Sequence, residues 1–94
     1  MTSMERKALC AELEKLVGPG PGANERALKR VREIVAELVD GRNEYVKEKA
    51  AAVLDDFELW LSQRRWARYC GGDPSVFRIR LLVALDKLDG SFRD

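Results

Sequence analysis

No histidine occurs among the 94 residues of this chain. That removes the commonest general base near neutral pH, every Ser-His and Cys-His nucleophile pair, and the most frequent zinc ligand. Cysteine is scarce as well. Cys10 and Cys70 are the only two, and such a pair has no ligand spacing for structural zinc. A disulfide between them would need a fold that brings them together. In a reducing compartment two free, half-buried thiols are the expected state. Proline is limited to three positions, two of them inside Gly18–Gly22, so long helices meet few interruptions. The apolar run Leu81–Leu85 is far too short to cross a bilayer. No apolar leader precedes the first charged residues, and the expectation is a cytoplasmic protein without membrane association.

Charge of one sign is also missing. Seventeen basic and sixteen acidic residues give a net charge of +1. No global field draws the chain to nucleic acid or anionic lipid. Locally, residues 41–60 sum to −2, and residues 61–72, which carry three arginines and no acid, form the one charge island.

What is present favours one helical domain. Hydrophobic residues make up 46% and charged residues 35%, a balance that supports a small packed core rather than disorder. Four helices are expected, over about 3–17, 25–39, 44–70 and 74–88. Thr2 with Glu5 fits a capping box, and Leu9, Leu13 and Leu16 share one face of the first helix. The sequence GPGPG stops it. Asn24 is the expected cap of the second helix, whose stripe is Leu28, Val31, Val35 and Leu38, and Gly41 suits the left-handed position after it. The short link at 40–42 makes helices two and three an antiparallel hairpin. Asn43 caps the third helix. Asp73 caps the fourth, with Pro74 in its first position and Gly90 at its end. A strand over Val76–Val83 is the rival reading of that last segment, but it would have no partner strand. The expected fold is therefore all-α: a small four-helix bundle built on the helix two–helix three hairpin, with homodimerisation left open.

One stretch, LWLSQRRWARYC, breaks the pattern. Val46, Ala50, Val53, Leu54, Phe57, Trp60 and Leu61 lie in one band of the third helix. Continuing the same wheel puts Arg64 and Arg68 into that band, and Leu59, Trp66 and Cys70 opposite it. The helix breaks near Ser62–Gln63, or projects past the hairpin with the last helix over its other side, or leaves Trp66 for a partner. The last helix is apolar nearly all round. Either it is the central element or its outer face meets a second copy, for which Phe77, Leu81, Leu82 and Leu85 are the candidate contacts.

These absences argue against catalysis, metals and cofactors. The acidic residues Asp55, Asp56, Glu58, Asp86 and Asp89 lack the loop spacing of a calcium hand. The glycine-rich stretches match no phosphate loop. The expected function is a non-enzymatic protein-binding module, such as an adaptor, assembly subunit or inhibitor, that occupies a surface of a larger partner. Arg64, Arg65, Trp66, Arg68 and Tyr69 are the candidate binding residues, because Arg, Trp and Tyr dominate interface hot spots and arginine suits an acidic groove. Nucleic-acid binding through the same segment is the alternative, supported by a smaller basic patch at Arg26, Lys29 and Arg30.

Overall fold

The computed structural model describes residues 2–69 and 72–92. Its order is α1 (Ser3–Leu16), a 3-10 turn (Glu25–Ala27), α2 (Leu28–Val39), α3 (Glu44–Leu61), α4 (Gln63–Trp66), a second 3-10 turn (Ala67–Tyr69) and α5 (Pro74–Ser91). No strand occurs among the described residues, so the strand reading of Val76–Val83 is set aside. The question of a Cys10–Cys70 disulfide lies outside the described residues.

Local chemistry explains most of the boundaries. Thr2 and Glu5 form the reciprocal capping box, with Thr2 Oγ1 accepting from Glu5 N–H at 3.2 Å. Asn43 Oδ1 accepts from Val46 N–H at 3.0 Å and starts α3. Asp73 Oδ1 accepts from Ser75 N–H at 3.0 Å, with Pro74 leading α5. Gly41 takes a φ of 71° after α2, a region that costs other residues energy. Two expectations are corrected here. Asn24 makes no capping bond; its amide instead donates to the Leu16 carbonyl at 3.2 Å, closing the end of α1. The second helix consequently opens with a 3-10 turn and becomes regular only at Leu28. Gly90 does not end the last helix, which runs on to Ser91 and is capped by Phe92.

The third helix ends at Leu61, not near Cys70. Ser62 is extended, with φ −84° and ψ 110°. Its hydroxyl accepts from Arg65 N–H at 3.3 Å and so caps α4. The carbonyl of Trp60 is the group that Arg64 N–H would have used had α3 continued. It accepts instead from Gly22 N–H at 2.8 Å. The glycine–proline loop thus occupies the growing end of α3, and the serine starts a new turn in another direction. This resolves the side-switch in favour of a break.

The helices alternate in direction. Glu12 near the end of α1 pairs with Arg30 near the start of α2, and Arg32 of α2 pairs with Glu58 late in α3. Asp56 of α3 pairs with Arg80 early in α5. Arg78 of α5 donates to the Gly18 carbonyl just after α1, at 2.7 Å. The most extensive packing is between α3 and α5, and α5 also touches α1. The core joins Leu13 and Val17 to Val31, Ile34 and Leu38 of α2, Val53, Phe57, Trp60 and Leu61 of α3, and Leu81, Leu85 and Leu88 of α5. Trp60 is 2% exposed, and its indole N–H donates to the Val17 carbonyl at 2.7 Å. Its bulk is buried without leaving its donor unpaired. Phe92 folds over the far end, with the guanidiniums of Arg6 and Arg42 each 5.2 Å from its ring centroid. No helix among the described residues is long and apolar enough to cross a membrane.

The expected dimer contacts need correction. Leu81 and Leu85 are buried in the chain's own core, and Phe77 is half-buried against two other rings. Of that group only Leu82 is exposed. The outward face of α5 is carried instead by Val76, Ile79 and Val83.

Candidate interaction surface

The break at Ser62 decides where the arginines point. After it, α4 packs on the end of α3, and aromatic rings of α4 and the following 3-10 turn fasten them to α5. Trp66 meets Trp60 edge-on, with centroids 5.8 Å apart and an interplanar angle of 78°. It meets Phe77 in the same way at 4.9 Å and 84°, and Phe77 in turn meets Tyr69 at 5.5 Å and 70°. Such edge-to-face pairs are each worth roughly 0.5–1.5 kcal/mol beyond the area they bury. Trp66 is half-buried and packs on the core as the central link of this series. Its main contacts are with its own chain, so it anchors the segment rather than leading it outward.

The three arginines differ. Arg65 lies 3.5 Å from Glu58, a carboxylate also approached by Arg32 at 3.3 Å. Arg64 and Arg68 are exposed, and among the described residues no acidic group lies within ion-pair distance of either. Tyr69 is 52% exposed even though its ring touches Phe77. The predicted site therefore divides into an inner part, Trp66 and Arg65, engaged by the chain itself, and an outer part, Arg64, Arg68 and Tyr69, open to solvent.

Arg65, Arg68 and Tyr69 form one wall of an open groove of about 520 Å³, together with Asp55, Asp56, Leu59 and Arg80. The groove lies where the turn after α4 faces α3 and α5. Asp56 sits low in it, its side chain 13% exposed and 3.3 Å from Arg80. Burial raises the Asp56 carboxyl above its usual range, Arg80 pulls it back, and neighbouring Asp55 pushes it up again. The sequence did not point to Arg80 as a binding residue, and it raised Asp55 only as an oxygen ligand for a cation. Their one signal was Leu59, which the helical wheel had put on the outer side of α3 with Trp66. Arg80 could be assigned to the groove only once α3 and α5 were known to run antiparallel.

The second basic patch is weaker than its sequence suggests. Arg30 makes a two-pronged contact with Glu12, one arm at 2.9 Å, and approaches Glu33 at 3.6 Å. It is committed to holding α1 on α2. Cys10 is half-buried, and burial raises its thiol above the ordinary range, with Asp89 adding to the effect and Arg6 opposing it. A thiol held in its neutral form is a poor nucleophile. Among the described residues no three histidine, cysteine, aspartate or glutamate side chains gather as metal ligands would. A scan against protein-family models finds no match for the chain, and searches of curated proteins and of solved structures find none either.

Proposed function

We propose that this chain is a non-enzymatic interaction module that docks on an acidic surface of a larger protein through Arg64, Arg68 and Tyr69. The carrying observation is that two exposed guanidiniums, one of them lining a groove with the exposed Tyr69, have no acidic group within ion-pair distance among the described residues, on a turn fastened from behind through Trp66 and Phe77. Arginine and tyrosine are enriched in interface hot spots, and a fixed backbone lowers the entropy lost on binding. Arg65 stays with Glu58 and keeps the turn in place. In this reading α1, α2, α3 and α5 form an up-down-up-down four-helix bundle that serves as a rigid platform. An adaptor, an assembly subunit and an inhibitor are all roles that such a platform can fill.

The test is in-cell crosslinking of the full chain, compared with the double variant Arg64→Glu/Arg68→Glu. The expected result is a specific crosslinked protein that disappears in the variant and survives nuclease treatment. An identical set of crosslinks in both proteins, or crosslinks released by nuclease, overturns the reading. The second outcome would turn attention to nucleic acid.

A further inference from the structure

We propose that the outward face of α5 pairs two copies of this chain, antiparallel, about a two-fold axis at Val83. The inference is independent of the arginine turn. Val76, Ile79 and Val83 are 59%, 60% and 47% exposed. At 100° per residue they lie within a band of about 60° on the helix. Leu82 flanks them and is also exposed. Four neighbouring aliphatic side chains on one face of a surface helix are more than the scattered single residues of an ordinary surface.

The sequence of this face identifies its occupant. Val76, Ile79 with Arg80, Val83, Asp86 with Lys87, and Gly90 follow at alternating spacings of three and four, symmetric about Val83. That 3.5-residue repeat is the one by which helices interlock along a seam. An antiparallel pair centred on Val83 sets Val83 on its own copy and Ile79 on the aliphatic stem of Lys87. It sets Val76 on Gly90 and brings Arg80, which holds Asp56 of its own chain through Nε at 3.3 Å, beside Asp86 of the second copy twice. A parallel pair would stack Arg80 on Arg80 and Lys87 on Lys87, so charge selects the antiparallel arrangement.

Two further details agree. Gly90 lies inside α5 with ordinary helical φ, and a side chain there would meet nothing within 4 Å. No contact among the described residues requires it, and its missing side chain would let a second helix approach closely opposite Val76. Beside Val83 the surface between α3 and α5 is hollowed by about 360 Å³, lined by Ala52, Val83 and Ala84 and rimmed by the charged Lys49, Asp56, Arg80 and Lys87. Four exposed side chains cover only part of the roughly 800 Å² per partner that a standard interface buries. The pair is therefore concentration-dependent rather than obligate.

The experiment is sedimentation velocity on the full chain from low micromolar to millimolar concentration. The wild type should pass from 10.7 kDa toward twice that mass. Val83→Glu, an exposed position whose change leaves the core intact, should remain monomeric throughout. Asp86→Arg, which leaves the Arg80–Asp56 pair of the same chain in place, should weaken the dimer, with circular dichroism confirming that each variant stays folded. In a Cys10→Ser/Cys70→Ser background, Val83→Cys should oxidise to a covalent dimer and Ile79→Cys should not. A wild type that is monomeric at every concentration, or a dimer unaffected by Val83→Glu, overturns the proposal. Crosslinking through position 79 but not 83 overturns the axis.

Discussion

Trp66 rests edge-on against Phe77, with ring centroids 4.9 Å apart. This contact ties the turn bearing the arginines to α5, although the arginines follow α3 directly in the chain. Without it, α4 would hang from Ser62 by a helix of four residues, too short to hold itself. The ring pair therefore links the core to the exposed surface.

Trp66→Ala should accordingly loosen the segment while leaving the core folded. Far-ultraviolet circular dichroism should remain mainly helical. Hydrogen exchange at residues 63–69 should accelerate well beyond any change in α2. Trp66→Phe should retain most of the protection, because it keeps a ring against Phe77. Equal acceleration throughout the chain would show that Trp66 supports the whole core rather than the turn.

Much of the fold could be read from local patterns. The caps at Thr2, Asn43 and Asp73, the left-handed Gly41 and the stripe of α2 each depend on residues within a turn or two of one another, and all are found. What could not be read depended on long-range partners. Asn24 looks like a cap in isolation, but its amide donates to the Leu16 carbonyl and its side chain makes no capping bond. The wheel showed that α3 changes sides, yet the break becomes definite only because Gly22, far away in sequence, takes the Trp60 carbonyl. In α5 the periodicity is weak because both faces are apolar, so the sequence could not separate Leu81 and Leu85 of the core from Val76, Ile79 and Val83 outside. The arginines were visible as a cluster, while their separation into paired and unpaired depended on where Glu58 faced.

That separation is measurable. Glu58 is 23% exposed at its side chain and takes both Arg32 and Arg65. Arg65→Ala should cost up to about 1 kcal/mol of stability, the upper range for a largely exposed pair. Arg64→Ala should stay within roughly 0.5 kcal/mol, as for an exposed residue with no acidic partner among the described residues. Urea unfolding of the two variants is the comparison. A larger loss for Arg64→Ala would mean that Arg64, too, holds the fold together.

The pH behaviour of Asp56 follows from its surroundings. Its folded carboxyl titrates above its ordinary 3.8 because burial outweighs the pull of Arg80. Between 3.8 and the folded value the native state binds more protons than the unfolded chain. The stability this group supplies is thus lost as pH rises through that window. Glu12 behaves oppositely: Arg30 holds it below its ordinary 4.5, so its contribution is present above that value and disappears as pH falls through the folded one. Carbon-detected NMR titration can resolve the two carboxyls. Arg80→Ala should raise the Asp56 value further, and Asp55→Asn should lower it. A downward shift in the first variant would mean that Arg80 is not the charge Asp56 feels.

Gly22 offers the sharpest test of what ends α3. It has a φ of 73°, and a Cβ built on it would run into the side chain of Gln63, the first residue of α4. Gly22→Ala should therefore cost energy in two separable ways. Left-handed backbone costs a side-chain-bearing residue about 1–2 kcal/mol, and displacing Gln63 adds to it. The second part depends on the Gln63 side chain, so the double variant Gly22→Ala/Gln63→Ala should recover it while leaving the backbone cost. A thermodynamic cycle over the four proteins measures that coupling directly. A clear positive coupling would place the loop against the start of α4, where its N–H holds the Trp60 carbonyl and keeps α3 from continuing. Additive losses would mean that Gln63 moves aside freely, leaving the Gly22 N–H bond to the Trp60 carbonyl and the Trp60 indole bond to Val17 to fix the end of α3.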